Sequence, residues 1–130
     1  MSDRILIADD HQETRSRLTA LLTAAGYEVI LAADGRQAVE KAKKDRPDLV
    51  LLDLKLPEND SLDVCDTLKS LPKFQSTPIL ILTDRAEIPS QEKSLKQGPG
   101  ELIPAKFHPT DLLVKVQGCL HKERPRVSNA

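Results

Sequence analysis

Aromatic side chains are almost missing from this sequence, which has two phenylalanines, one tyrosine and no tryptophan among 130 residues. Hydrophobic residues still make up 39% of the chain, so we expect one sizeable core built from aliphatic side chains. An excess of charge of one sign is also missing, because 19 lysines and arginines face 20 aspartates and glutamates. Without a basic field, direct binding of nucleic acid by this domain is not expected.

Long apolar runs are absent too, and no stretch approaches the roughly 20 residues that a membrane span needs. The first residues lead directly into a predicted strand with no recognisable signal peptide, so we expect a cytoplasmic protein that does not bind membranes. The two cysteines, Cys65 and Cys119, have no metal-ligand spacing. We interpret both as reduced, half-buried core residues.

Three short aliphatic runs are present, and each ends in a carboxylate or a hydroxyl. Runs of this kind are typical of strands buried on both faces of a parallel sheet. They are Ile5–Ala8 followed by Asp9 and Asp10, Leu49–Leu52 followed by Asp53, and Ile79–Leu82 followed by Thr83.

Between these runs the pattern alternates strand and helix along the whole chain, which predicts an α/β doubly wound sandwich. Right-handed crossovers favour the flavodoxin-like order 2-1-3-4-5 for a five-stranded parallel sheet flanked by five helices. We assign residues 1–121 to this domain and residues 122–130 to a polar tail or linker stump. The predicted helices cover residues 11–25, 36–45, 61–71, 89–97 and 109–120, and the two remaining strands cover residues 28–32 and 102–103.

In that strand order the carboxyl ends of strands 1, 3 and 4 lie side by side, so their polar residues converge. Carboxylates brought together repel unless a cation lies among them, and Mg²⁺ accepts such oxygen ligands. Asp10 and Asp53 are the best direct ligands, and Asp9 suits a coordinated water. Asp53 is also a possible nucleophile for a phosphoryl group, and the Thr83 hydroxyl can donate a hydrogen bond to that group.

Four motifs occur in this order along the chain: ILIADD, LVLLDLKLPENDSLDVCDTLK, TPILILT and FHPTDLL. Together they resemble the receiver domain of bacterial two-component response regulators over residues 4–120. The resemblance implies that Asp53 is the phosphoacceptor, Asp9 and Asp10 are the acidic pair, Thr83 is the switch hydroxyl, and the Lys55 backbone carbonyl is a third metal ligand. It also implies Mg²⁺ as cofactor and a sensor histidine kinase or phosphotransfer protein as donor.

The same comparison shows departures from the family pattern. The family has Lys-Pro-Phe after its fifth strand, whereas the ungapped alignment places Ala105 at the lysine position and Lys106 at the proline position. Either the loop shifts so that Lys106 reaches the phosphoryl group, or the pocket lacks its lysine. Asp84 stands where a small residue is usual, and Leu102 replaces the aromatic switch residue.

Two functions therefore remain open. In the first, Asp53 is phosphorylated and the change alters binding of a downstream effector through the face at residues 84–121. In the second, the chain is a degenerate receiver that binds partners independently of phosphorylation. Neither is an enzyme in the usual sense, and Lys55 is unsuited to the general acid that an aspartate-nucleophile phosphatase has at that position. We interpret His11, which follows the acidic pair, as an exposed residue in the first turn of a helix.

Overall fold

The computed structural model describes residues 3–53, 61–83, 100–104 and 108–123. Strands and helices alternate, and we number them in chain order. Predictions for Lys55, Asp84, Ala105, Lys106 and the helix at residues 89–97 lie outside the described residues. The elements are β1 (Arg4–Ala8), α1 (Gln12–Ala24), β2 (Glu28–Ala32), α2 (Gly35–Asp45), β3 (Leu49–Asp53), α3 (Ser61–Lys69), a 3₁₀ turn (Pro72–Phe74), β4 (Ile79–Thr83), β5 (Gly100–Pro104) and α4 (Pro109–Glu123).

All five strands belong to one parallel sheet with the order β2-β1-β3-β4-β5, which confirms the predicted topology. The register aligns the carboxyl ends of the central strands. Ala8 of β1 pairs with Leu52 of β3, and Asp53 pairs with Leu82 of β4. The acids that follow β1 and end β3 therefore lie at one edge of the sheet.

The sheet is covered on both faces, and its central strands are apolar at every position except one end residue each, Arg4, Asp53 and Thr83. Alternate side chains of a strand point to opposite faces. One set packs against buried residues of α2 and α3, including Ala38, Ala42 and Leu68. The other set packs against α1 and α4, where the predicted inward residues Leu18, Leu22, Leu112 and Val116 are buried. Both cysteines lie in these two layers without a disulfide, and they are buried where the sequence predicted half-buried residues.

The ends of the first two helices are fixed by local chemistry. Gly26 has a φ of 97°, the left-handed conformation that glycine adopts without strain, just after α1 ends. At the start of α2, the Asp34 carboxylate accepts a hydrogen bond from the Gln37 N–H at 2.8 Å. The Gln37 side chain accepts one from the N–H of Ala33, the residue before the N-cap, at 3.0 Å, so two hydrogen bonds hold the start of the helix.

Two predicted elements are longer in the structure, and the predicted helix at residues 61–71 is shorter, since α3 ends at Lys69. β5 begins at Gly100, which the sequence placed in a loop, because that residue pairs with Ile79 of β4. Pairing supplies backbone hydrogen bonds whatever the side chain, so a glycine can still begin a strand. The last helix continues through Glu123, beyond the predicted end near Leu120, since polar residues can extend a helix that is already formed. Among the described residues, no helix combines the length and apolarity needed to cross a membrane.

Candidate metal and phosphoryl site

The strand register brings two of the predicted acids together. Because Ala8 pairs with Leu52, the next residues along these neighbouring strands, Asp9 and Asp53, lie at the same level. The Asp9 N–H continues the sheet pairing by donating to the Ala32 carbonyl at 3.1 Å. The sheet backbone therefore holds Asp9 in place, and Asp10 is the first residue to leave the sheet.

Three carboxylates meet at this edge with different access to solvent. Ligand atoms of Asp9, Asp10, Asp53 and His11 all lie within 4.8 Å of one another. The exposed fraction of the side chain is 4% for Asp9, 17% for Asp53 and 41% for Asp10. The pocket thus has a buried acid at its base and two more accessible acids at its rim.

The turn after β1 fixes the buried acid further. The His11 backbone N–H donates to Asp9 Oδ1 at 2.8 Å, the side chain-to-backbone contact that aspartate makes in tight turns. From the first turn of α1, the Arg15 guanidinium donates to the Asp9 carbonyl oxygen at 2.7 Å. The side chain and backbone of Asp9 are therefore both held before any ligand binds.

The His11 ring lies among the carboxylates, a contact that the sequence did not predict. Its Nδ1 is 3.1 Å from Asp10 Oδ1, 3.2 Å from Asp9 Oδ1 and 3.7 Å from Asp53 Oδ2. The hydrogen bond with Asp9, followed by the charge of Asp10, raises the pKa of His11 above its ordinary value. The predicted exposure of His11 is confirmed, with 69% of the side chain exposed, but the ring is part of the acidic cluster.

A sequence signal for His11 did exist. It directly follows two acids at the end of a central strand, so its backbone is bound to lie near the pocket. What the pattern lacked was the ring's direction. His11 is the N-cap residue of α1, yet its side chain makes no capping hydrogen bond. The ring is consequently available to the carboxylates.

The remaining predicted site residues are only partly located. Thr83 is the last residue of β4 and pairs with Pro104, which puts its backbone at the same edge of the sheet as Asp53. The role of its hydroxyl stays a prediction. Leu102 lies in β5 opposite Ile81, as the alignment implied. Lys55 and Lys106, the predicted carbonyl ligand and the uncertain phosphate-binding lysine, lie outside the described residues.

The donor set fits a hard divalent cation. Three carboxylates from two adjacent strand ends offer oxygen atoms close enough to share one ion. Mg²⁺ binds one or two carboxylates and retains several waters, so it needs an open side to the pocket. The exposure of Asp10 provides that open side.

Relatives in sequence are response regulators. A model of the response regulator receiver domain matches residues 5–117. Response regulator MprA of Mycolicibacterium vanbaalenii is 37% identical over 125 residues, which cover 96% of this chain and 53% of that protein. MprA of Mycobacterium leprae is 36% identical over 122 residues and is likewise covered to 53%. The chain thus spans about half the length of the curated relatives it matches.

Similar solved structures also include a response regulator and a receiver domain. A response regulator described as putative, from Chloroflexus aurantiacus, has a TM-score of 0.87 and 30% identity, covering 93% of this chain and 99% of its own. The receiver domain of sensor histidine kinase PA1611 from Pseudomonas aeruginosa has a TM-score of 0.84 and 28% identity, with the same coverage, and holds a magnesium ion coordinated in its active site cleft. With its fold, its strand-end acids and this family match, the chain belongs to the response regulator receiver domains of two-component systems.

Proposed function

We propose that this chain is a phosphoacceptor signalling domain in which Asp53 receives a phosphoryl group from a histidine kinase or a phosphotransfer protein, with Mg²⁺ as cofactor. The observation that carries the proposal is the convergence of Asp9, Asp10 and Asp53 within one pocket. Three carboxylates in one pocket would by themselves fit many kinds of cation site. The position of Asp53 at the end of a central strand, in a chain of this family, supports the phosphoryl role.

The proposed reaction is a transfer between two proteins. A carboxylate oxygen of Asp53 attacks phosphorus, the new O–P bond forms, and the P–N bond to the donor imidazole breaks with its electron pair going to nitrogen. Mg²⁺ supplies positive charge that offsets the repulsion between the carboxylates and the incoming phosphoryl oxygens. The product is an acyl phosphate on Asp53, which makes the domain a signalling component with self-directed chemistry and no turnover of a separate substrate.

The proposed role of each acid follows from the solvent exposure of its side chain. Asp10 and Asp53, the more exposed acids, suit direct contact with the ion, together with the Lys55 carbonyl. Asp9 is buried and already accepts the His11 N–H, which suits it to hold a coordinated water. In this proposal the Thr83 hydroxyl donates a hydrogen bond to a phosphoryl oxygen. Lys106 is the available amine for a second oxygen if the loop after β5 brings it close.

The proposed output is a change in protein contacts. Phosphorylation alters the face at residues 84–121, and that face binds an effector domain or a separate effector protein. The curated relatives are about twice as long as the matched segment, which leaves room in those proteins for a further domain. We do not assign nucleic-acid binding to the receiver itself, since its net charge is -1.

The test is the intact mass of the protein after incubation with Mg²⁺ and a small phosphodonor such as acetyl phosphate. We expect a gain of one phosphoryl group that disappears in Asp53→Asn and when a chelator removes the metal. Asp45→Asn is a matched control, because Asp45 is an acid at the end of α2, before β3 begins, whereas Asp53 lies at the other end of β3. No phosphoryl gain in wild type, or an equal gain in Asp53→Asn, would overturn the proposal.

The second candidate function is a degenerate receiver that binds partners without phosphorylation. The observation in its favour is the sequence of the second half of the pocket, where Ala105, Asp84 and Leu102 replace the family's lysine, small residue and aromatic. Its expected result is partner binding of equal affinity in wild type and Asp53→Asn, measured with and without the phosphodonor. Binding that follows the phosphoryl mass gain would exclude it.

A further inference from the structure

We propose that His11 is a nitrogen ligand of the metal pocket and shifts its preference from Mg²⁺ towards late first-row ions such as Ni²⁺ and Zn²⁺. The inference rests on the proposed function only in placing the metal among the same carboxylates. It concerns which ion this chain selects, and phosphoryl transfer to Asp53 is not required for it.

The spacing of the ligand atoms supports a shared ion. Donors about 2.1 Å from one metal lie about 3.0 Å apart when they subtend a right angle and about 3.4 Å apart in a tetrahedron. The three separations between His11 Nδ1 and the carboxylate oxygens are 3.1, 3.2 and 3.7 Å. His11 Nδ1 therefore stands close enough to Asp10 Oδ1, and somewhat farther from Asp53 Oδ2, for each pair to share one ion, while Asp9 stays suited to a coordinated water.

The backbone holds the ring near this position. The His11 N–H is bound to Asp9, and the His11 carbonyl accepts the Arg15 N–H at 3.0 Å as the first hydrogen bond of α1. These bonds fix the Cα of His11 at the rim of the pocket. The side chain is otherwise solvent-exposed and caps no helix N–H, so small ring rotations towards an ion break no capping bond.

The chemistry of imidazole determines the direction of the preference. Imidazole suits Ni²⁺, Cu²⁺ and Zn²⁺, whereas carboxylates, carbonyls and water suit Mg²⁺ and Mn²⁺. An all-oxygen pocket does not prefer late transition metals beyond their general order of affinity. Adding a nitrogen donor raises their affinity selectively while leaving the hard Mg²⁺ ion with the ligands it prefers.

Calorimetric titration of the full chain with MgCl₂, NiCl₂ and ZnCl₂ tests this preference, at a pH above the raised pKa of His11 so that the ring is neutral. His11→Gln removes the nitrogen donor and keeps both the backbone N–H and an oxygen donor. We expect Ni²⁺ and Zn²⁺ affinities to fall at least about tenfold in this variant. Mg²⁺ affinity should change less than about threefold, because oxygen remains available to it.

The control variant is His108→Asn. It also removes an exposed histidine, and asparagine retains a side-chain acceptor for the Thr110 N–H that His108 Nδ1 now accepts at 3.2 Å. We expect it to bind all three ions as wild type does. An equal loss of Ni²⁺ affinity in both histidine variants, or no loss in His11→Gln, would overturn the inference.

A spectroscopic measurement identifies the ligand directly. In protein labelled with ¹⁵N at histidine, saturating Zn²⁺ should shift the ring nitrogens of His11, assigned through their loss in His11→Gln. Unchanged His11 resonances with Zn²⁺ bound would contradict the inference. Mg²⁺ binding and the mass gain on Asp53 would be unaffected by that result. Loss of the mass gain with an intact His11 shift would instead count against the proposed function alone.

Discussion

The β1–α1 and β5–α4 junctions place the same residue type in the same backbone position, with different consequences. His11 precedes α1 and accepts the Arg15 N–H through its carbonyl, as His108 precedes α4 and accepts the Leu112 N–H, both at 3.0 Å. The His108 ring also accepts a helix N–H, that of Thr110. The His11 ring makes no such bond and lies against three carboxylates.

The difference shows that a position before a helix does not determine what its side chain does. Asp9 and Asp53 are fixed by parallel strand pairing, and Asp10 follows directly, so negative charge is concentrated beside one histidine. Attraction to that charge favours a ring orientation away from the helix end. At the second junction the ring instead accepts one of the unpaired N–H groups at the start of a helix.

The largest expected effect is on Mg²⁺ affinity, and it distinguishes Asp10 at the first junction from Asp111 at the second. Asp10→Asn should lower Mg²⁺ affinity at least about tenfold and reduce phosphoryl gain on Asp53, because it removes a direct ligand. Asp111→Asn makes the same charge change in the exposed first turn of α4 and should bind Mg²⁺ as wild type does. Titration calorimetry measures both. Similar losses in the two variants would mean that general charge, and not ligation, governs binding.

A smaller effect separates the two histidines. His108→Ala should lower the free energy of unfolding by about 1 kcal/mol, because the Thr110 N–H loses its acceptor. His11→Ala should cost less when measured with a chelator and well above the pKa of His11, since its ring caps no helix N–H. Urea unfolding provides the comparison, with His108→Asn as the variant that retains a cap. A greater loss of unfolding free energy in His11→Ala than in His108→Ala would contradict the conclusion that only the His108 ring caps its helix.

The smallest effect is the pH dependence of stability in the presence of a chelator. The folded state raises the pKa of His11 above its unfolded value of about 6.5. The resulting stabilisation is fully present below about pH 6.5 and is lost as pH rises through the raised pKa. The stability difference between wild type and His11→Ala should therefore shrink over that window. A difference independent of pH, or a His11 pKa at or below 6.5 by NMR, would contradict the prediction.

Most of the fold was predictable because the strands are unusually clear. Their apolar runs leave no alternating pattern, which indicates burial on both faces, and each run ends at a polar residue or a turn. The predicted elements that proved too short, at Gly100 and beyond Leu120, were those where side chains carry little information. Strand pairing and helix propagation decided those boundaries through the backbone.

The sequence by itself determined that Asp9, Asp10 and Asp53 follow central strands and that parallel pairing would bring them to one edge. It did so because strand order and alternation follow from local patterns and from the handedness of crossovers. Only the tertiary structure decided the position of the His11 ring, the burial of Asp9 and the anchoring of its carbonyl by Arg15. These depend on rotamers and on contacts between separate strand ends, which no spacing along one chain encodes.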